Sequence, residues 1–164
     1  MKKYLWLLVS VFLGGVAVII YMANAHHKAK HIQYGATPLT VVLDLEASKP
    51  FDLQIFYLTR KDEKFNQQSS IRRKVTPQDT HVEVVLPVKR IYNFRLDFGS
   101  YPGKIMLKNI EIKGDLHLNF NNWHNYVYMN MDKTKVKKDH LEIYSEQRDP
   151  YMVFQYSFVL DEKI

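Results

Sequence analysis

Apolar and polar residues alternate one by one along most of the chain that follows residue 38. In residues 39–47, for example, Val41 and Leu43 fall on one face, whereas Asp44 and Glu46 fall on the other. A period of two is typical of a half-buried β-strand, because successive side chains of a strand point to opposite faces. A helix would need apolar residues three and four positions apart. We find no persuasive spacing of that kind after residue 38.

Stretches with this alternation recur between turn-forming residues and predict roughly seven to nine short strands. The predicted strands cover 39–47, 51–59, 81–88, 91–98, 105–113, 141–145 and 151–160, with an edge strand near 71–75 and one or two more within 116–131. The predicted fold class is therefore all-β, an antiparallel β-sandwich with a jelly-roll-like arrangement.

The predicted strand at 105–113 changes phase once along its length. Leu107 and Ile110 are both apolar although they are three positions apart, which in a regular strand would put them on opposite faces. A β-bulge inserts one extra residue into one strand of a pair and corrects such a shift. The sequence therefore predicts a bulge or bend around Lys108 and Asn109.

The N-terminal segment, residues 4–22, consists of apolar or small residues with only Ser10 mildly polar. A helix of about nineteen such residues, at ~1.5 Å per residue, spans the apolar core of a bilayer. Lys2 and Lys3 precede it, and positively charged flanks stay on the cytoplasmic side. We therefore expect a single-pass anchor in the cytoplasmic (inner) membrane, with the N-terminus inside and the domain extracytoplasmic.

A cleaved signal peptide is the competing interpretation, because the A-N-A sequence ending at Ala25 has the small-x-small form that a signal peptidase cuts. The apolar run is longer than the about 7 to 15 residues of a signal-peptide core, which favours a retained anchor. The expected organisation is an anchor or signal peptide over 1–25, a polar tether over 26–37 and a β-sandwich domain over 38–160.

The composition excludes several classes of site. The chain has no Cys, which removes disulfides, thiolate nucleophiles and Cys-ligated metal centres. Its net charge is +6, but the basic residues are scattered among acidic ones, and Arg72, Arg73 and Lys74 form the densest cluster. A nucleic-acid interface needs a basic stripe with interleaved stacking aromatics. No nucleic-acid partner is therefore expected.

No catalytic or metal-binding motif is convincing in this sequence. His27 and His31 are four positions apart, but they fall in the polar tether, where a solvated linker explains them. The chain contains no G-x-S-x-G nucleophile elbow. Arg95 and Asp97 share a strand face, and we expect them to pair with each other or with a neighbouring strand. We therefore expect no enzyme activity, no cofactor and no metal.

Residues 93–112, N-F-R-L-D-F-G-S-Y-P-G-K-I-M-L-K-N-I-E-I, combine an R-L-D strand, a Pro/Gly turn and a strand ending in I-E-I. This run resembles a motif in small β-sandwich domains attached to bacterial envelope membrane proteins, beside polyprenyl-linked sugar glycosyltransferases and related surface-polysaccharide enzymes. Residues 51–57 and 141–151 are similar to the early aromatic strand and the closing turn of those domains. The resemblance implies an extracytoplasmic β-sandwich and a link to envelope glycans. It implies no transferase activity, because the multi-spanning catalytic part is not in this sequence.

The stretch N-F-N-N-W-H-N-Y-V-Y, residues 119–128, is the best candidate for a ligand site. Sugars are commonly bound by aromatic faces flanked by amide groups that hydrogen-bond the hydroxyls. The predicted ligand-binding residues are Asn121, Asn122, Trp123, Asn125, Tyr126 and Tyr128. An ordinary hairpin is the alternative, since aromatic residues favour strands and Asn favours turns.

The function predicted from these features is a noncatalytic, membrane-anchored extracytoplasmic binding or interaction module, with envelope glycan as the expected ligand. Two alternatives stay open: a structural accessory subunit of a membrane glycan-synthesis protein, and a small envelope hydrolase. The expected partners are the membrane, through the N-terminal helix, and an envelope glycan or a multi-spanning membrane protein.

Overall fold

The computed structural model describes residues 37–100, 103–115, 117–145 and 149–157. The predicted anchor or signal peptide at 1–25, and the predicted tether as far as residue 36, lie outside the described residues. Across the ranges that are described, no helix is long and apolar enough to cross a membrane.

The described residues form eleven strands and two short 3₁₀ turns, in which alternation and turn residues determine the boundaries. The strands are β1 Thr40–Ala47, β2 Phe51–Leu58, β3 Ser70–Val75, β4 His81–Val85, β5 Asn93–Asp97, β6 Gly103–Lys113, β7 His117–Asn119, β8 Tyr126–Met129, β9 Lys133–Val136, β10 Leu141–Ser145 and β11 Tyr151–Phe154. The 3₁₀ turns are Gln67–Ser69, between β2 and β3, and Trp123–Asn125, between β7 and β8.

The strands form two antiparallel sheets. The six-stranded sheet has the order β4-β1-β6-β10-β9, and β7 pairs with the C-terminal part of β6. The five-stranded sheet has the order β3-β2-β5-β11-β8. Side chains from both sheets belong to one hydrophobic core. The predicted all-β, antiparallel class is therefore confirmed, and the jelly-roll-like layout stays a prediction.

The core is formed by the apolar positions that alternation predicts. Val41, Leu43 and Leu45 of β1 are at most 1% exposed, and Phe94 and Leu96 of β5, in the other sheet, are fully buried. Burying a side chain of this size contributes about 1.5 to 3 kcal/mol, so a few such positions on each strand dominate the stability. The outward-facing residues of the same strands are consequently available for other roles.

Two local features differ from the sequence prediction. The strand predicted over 151–160 ends at Phe154, opposite Tyr126 at the start of β8, and residues 158–160 of the prediction lie outside the described residues. Tyr156, which the alternation places on the buried face, is consequently 50% exposed. The edge strand β9 is not predicted by the pattern, since its sequence K-T-K-V has no apolar alternation.

The predicted bulge is present in β6. Asp44 of β1 is opposite Asn109, whereas the next residue, Leu45, is opposite Leu107, so Lys108 is the extra residue. The insertion restores the phase of the strand, and both Leu107 and Ile110 are fully buried. The two halves of the longest strand therefore present their apolar residues to the same core.

A polar cluster next to the bulge joins β4, β1 and β6 on the outer face of the six-stranded sheet. The His81 ring lies 2.6 Å from Asp44 through Nδ1 and 3.3 Å from Glu83 through Nε2. Hydrogen bonds with Asp44 and then Glu83 raise the pKa of His81 above its ordinary value of 6.5. Burial alone would raise the pKa of Asp44, but hydrogen bonds from His81 and Asn109 outweigh it and lower that pKa.

We predict that His81→Gln lowers the free energy of unfolding more at pH 5.5 than at pH 8.5. A histidine whose folded-state pKa is raised contributes stability that is fully present below about 6.5 and is lost as the pH rises through the folded-state value. Urea unfolding of both chains at the two pH values measures the difference. His117→Gln, at an exposed histidine of β7, is the control and should show no such pH dependence.

Candidate functional site

On the outer face of the five-stranded sheet, polar and aromatic residues lie in two ranks, that is, rows of cross-strand neighbours that run perpendicular to the strands. In one rank, Gln54 of β2 lies opposite Arg72 on one side and Asp97 on the other, and Asp97 lies opposite Tyr151. In the adjacent rank, Arg95 lies opposite Phe56. Cross-strand partners lie about 4.5–5.5 Å apart at Cβ, so these side chains are immediate neighbours.

These ranks form the floor of a groove of about 800 Å³. The 3₁₀ turn region on one side contributes Phe65 and Gln67. The end of the groove is walled by Ser100, which follows β5, and by Asp149, which precedes β11. A volume of this order is within the range of pockets that hold small molecules or short polymer segments.

Arg95 is the centre of the groove floor. Its guanidinium carbon lies 3.7 Å from the ring centroid of Tyr151 and 4.9 Å from that of Phe56. Its Nη2 donates to Oδ2 of Asp97 at 2.5 Å, which confirms the pairing predicted from the sequence. The Nε donor of Arg95 is buried and has no hydrogen-bond partner within the described residues. The guanidinium is thus fixed in place while one of its donors is still unsatisfied.

Asp97 and Gln54 form the buried polar part of the floor. Asp97 is 9% exposed and accepts a second hydrogen bond from the Gly99 amide at 3.2 Å. Gln54 is 8% exposed, and its Nε2 donates to Gln67 Oε1 at 2.7 Å and to Ser70 Oγ at 2.8 Å. Buried polar groups of this kind keep a fixed orientation, because leaving them unpaired costs about 1–3 kcal/mol each.

The end wall is held by contacts between three turns. Ser100 donates to Oδ1 of Asp149 at 2.5 Å, and Asn130 Nδ2 donates to the Asp149 carbonyl at 3.3 Å. Gly99 has φ +61°, and a Cβ there would lie 3.0 Å from the Asp52 carbonyl oxygen. A residue without a Cβ is therefore needed for the turn to close against β2. The wall is preorganised by backbone geometry as well as by hydrogen bonds.

The chemistry of the groove is mixed and nearly charge-balanced. Its lining includes three carboxylates and two guanidinium groups, together with amide groups, two hydroxyls and three aromatic rings. Fixed donors, fixed acceptors and ring faces side by side suit a ligand that has both hydroxyl groups and apolar faces. Among the described residues there is no cluster of His and acidic side chains that could hold a metal ion.

The residues predicted as a sugar site lie elsewhere, around the second 3₁₀ turn and the start of β8. Trp123 is 2% exposed and Tyr126 is 3% exposed, because both belong to the core: the Trp123 ring packs against Tyr126, and the Tyr126 ring packs against Phe154. Burial raises the pKa of Tyr126 well above its ordinary value. Two of the three predicted stacking rings are therefore covered by protein.

The other predicted residues divide between structural and exposed positions. Burial raises the pKa of Tyr128 to about 12, and its hydroxyl donates to the carbonyl of Trp123. Asn121 accepts from the Ile110 amide at 2.8 Å and donates to Asn109 at 2.7 Å. Asn122 is exposed and Asn125 is partly buried. The stretch thus acts mainly as the end of the core.

The groove was not predicted as a ligand site. Its floor comes from four strands that are distant in sequence, and their alignment depends on cross-strand register, which a local pattern does not reveal. The one available signal was the outward-facing pair Arg95 and Asp97 in the middle of an aromatic strand. That pair was interpreted as structural, and its hydrogen bond is indeed made.

We predict that Asn121→Ala lowers the free energy of unfolding by about 1–2 kcal/mol, because the Ile110 amide loses its acceptor beside the bulge. Asn122→Ala, at the adjacent exposed position, should change it by less than about 0.5 kcal/mol. Chemical denaturation of the three chains provides the comparison. Equal effects of the two substitutions would contradict the structural role assigned to Asn121.

Comparison with family models, with curated proteins and with solved structures found no match for this chain.

Proposed function

We propose that this chain is a noncatalytic binding module that holds a glycan segment in the groove on the outer face of its five-stranded sheet. The observation that carries the proposal is the pair of ranks centred on Arg95 and Asp97, which places fixed polar groups beside aromatic rings. The proposal retains the glycan predicted from the sequence as the ligand and moves its site from residues 119–128 to the groove.

The chemistry of recognition follows from the groups that have unused hydrogen-bonding capacity. Arg95 bonds Asp97 through Nη2, no described residue hydrogen-bonds its Nη1, and the Oε1 atom of Gln54 accepts from none of them. A sugar hydroxyl donates and accepts at once, so one hydroxyl can satisfy both kinds of group. The apolar face of a sugar ring would then lie against Tyr151, which is already oriented by Arg95.

The groove proposal is tested with the full-length chain in nonionic detergent on an array of envelope oligosaccharides. We expect saturable binding that Tyr151→Ala weakens about tenfold, which corresponds to ~1.4 kcal/mol. Tyr151→Phe, which keeps the ring, should retain most of the affinity. Tyr156→Ala removes an exposed tyrosine ring outside the groove lining and is the matched control.

Two outcomes would count against this site. If no oligosaccharide binds saturably, the glycan proposal fails. If Tyr151→Ala binds as well as the unmodified chain and Asn122→Ala does not, the ligand site is near residues 119–128 as first predicted. Trp123→Ala is unsuitable for this comparison, because removal of a buried aromatic side chain costs about 3–5 kcal/mol of stability by itself.

The proposal also includes the N-terminal transmembrane helix at residues 4–22 and the extracytoplasmic location of the domain. Its support is the length and apolarity of that segment and the preceding Lys2 and Lys3. Membrane fractionation with a C-terminal tag should give a full-length, membrane-bound product whose domain is digested by protease added to spheroplasts. A shortened soluble product would instead indicate cleavage after Ala25, and a cytosolic full-length product would overturn the location.

A second candidate function is that of an accessory subunit that contacts a membrane glycan-synthesis protein. The observation that favours it is the edge strand β8, on which Val127 and Met129 are each 43% exposed on the outer face. Exposed apolar side chains on an edge strand suit a protein partner. Val127→Ser with Met129→Ser should then abolish co-purification of the partner and leave oligosaccharide binding unchanged.

A further inference from the structure

A second cleft, of about 360 Å³, lies on the opposite side of the domain, on the outer face of the six-stranded sheet. Three neighbouring strands form it: β6 in the interior of the sheet, then β10, then the edge strand β9. Tyr144 of β10 lies opposite Lys104 on one side and opposite Lys133 on the other. Glu142, two residues earlier on the same face, lies opposite Lys135. Two lysines thus flank Tyr144, and a third flanks Glu142 on the same face.

The charges in this cleft are not balanced. Among the described residues, Glu142 is the one carboxylate in the lining, and it already accepts from Lys104 Nζ at 3.1 Å and lies 3.4 Å from His140 Nε2. Hydrogen bonds from Lys104 and then His140 lower the pKa of Glu142, so it is ionised at neutral pH. Within the described residues, no carboxylate lies at ion-pair distance from Lys133 or Lys135. The cleft therefore has two ammonium groups in excess of its single carboxylate.

Protection of the sheet edge explains only part of this arrangement. Lysines on an edge strand discourage pairing with another chain, and Lys133 and Lys135 on β9 meet that need. Lys104, however, lies on β6, opposite Tyr144 on one side and accepting from the Ser48 amide on the other, so it has no edge to protect. Lys133 and Lys135 lie two residues apart on one face of β9, so their like charges repel each other, and a bound anion would relieve that repulsion.

We propose that this cleft binds a phosphate group, with Lys104, Lys133 and Lys135 as cationic ligands and the Tyr144 hydroxyl as a further donor. Lysine binds phosphate as a point charge and needs no bidentate geometry, which suits three flexible side chains around a shallow cleft. The phosphate group belongs either to a lipid headgroup or to a soluble phosphate compound. This site is separate from the glycan groove, and it does not depend on the groove proposal.

The test uses the full-length chain in nonionic detergent and follows its thermal unfolding as anions are added. Inorganic phosphate is one probe, and glycerophosphoglycerol, the soluble headgroup of phosphatidylglycerol, is the other. Sodium chloride keeps the ionic strength constant, so that general screening does not contribute. A ligand that binds the folded state raises Tm in a saturable manner. If the Tm shift saturates with glycerophosphoglycerol, which is a phosphodiester, the lipid headgroup is the source of the phosphate. If it saturates with inorganic phosphate alone, the source is a soluble phosphate compound.

Two pairs of variants separate this cleft from the overall positive charge. Lys133→Gln with Lys135→Gln should weaken phosphate binding about tenfold or more, since each lysine near a phosphate contributes on the order of 1 kcal/mol. Lys137→Gln with Lys138→Gln changes the net charge equally but lies beyond β9, outside the cleft lining, and should weaken it less than about twofold.

A third variant is expected to bind phosphate more tightly, a result that misfolding could not produce. Glu142→Gln removes the only carboxylate that the described residues contribute to the cleft lining. It preserves the shape of the side chain and should tighten phosphate binding about threefold. The proposal is overturned if neither anion gives a saturable shift, if the two lysine pairs weaken binding equally, or if Glu142→Gln leaves the affinity unchanged or lowers it.

Discussion

The pairing of β6 with β1 is the interaction on which the rest of the domain depends. β6 is the longest strand, and it pairs with β1 along its length on one side and with β10 and β7 on the other. A strand has a period of two, so a single-residue slip would turn every apolar side chain of one half outward. The bulge at Lys108 prevents this, because it adds the one residue that keeps Leu107 and Ile110 in the same core. The adjoining cluster of Asn109, Asp44 and Asn121 holds the bulge and the following loop together on the outer face.

The same constraint of register produces the groove in the other sheet. Once the inner positions of β2 and β5 are fixed by burial, the outer positions are fixed as well, and Gln54, Asp97 and Tyr151 must fall into one rank. The side chains in that rank need not stabilise the core, so their polarity is unexplained by folding alone. Asp97 and Gln54 are nonetheless buried, and each is held by hydrogen bonds to neighbouring turns. Burying polar groups on an outer face costs free energy unless they are hydrogen-bonded. A ligand that supplies the missing hydrogen bonds would offset part of that free energy.

Sequence patterns were sufficient for the fold class, for most strands and for the bulge, because each depends on local alternation and on burial. They failed where a partner strand decides the outcome. The last strand ends at Phe154 although the alternation continues to Tyr156, and β9 exists because β10 pairs with it although K-T-K-V has no apolar face. The predicted sugar site did not take into account that two of its rings are buried, for a related reason. Trp123 and Tyr126 have the composition of a binding surface, but their rings complete the end of the core, and composition does not distinguish the two uses of an aromatic side chain.

The two outer faces differ in how their charges are compensated, and this difference bears on what each can bind. In the groove, Arg95 is neutralised by Asp97 at 2.5 Å, so the site offers directional donors and acceptors with little net charge, which suits a hydroxyl-rich ligand. In the lysine cleft, the single carboxylate is already engaged by Lys104, and the remaining ammonium groups have long, flexible stems. Such a site has little geometric selectivity and responds mainly to anionic charge. A glycan in the groove and a phosphate in the cleft would therefore occupy the outer faces of different sheets without competing, since none of the described side chains lines both sites.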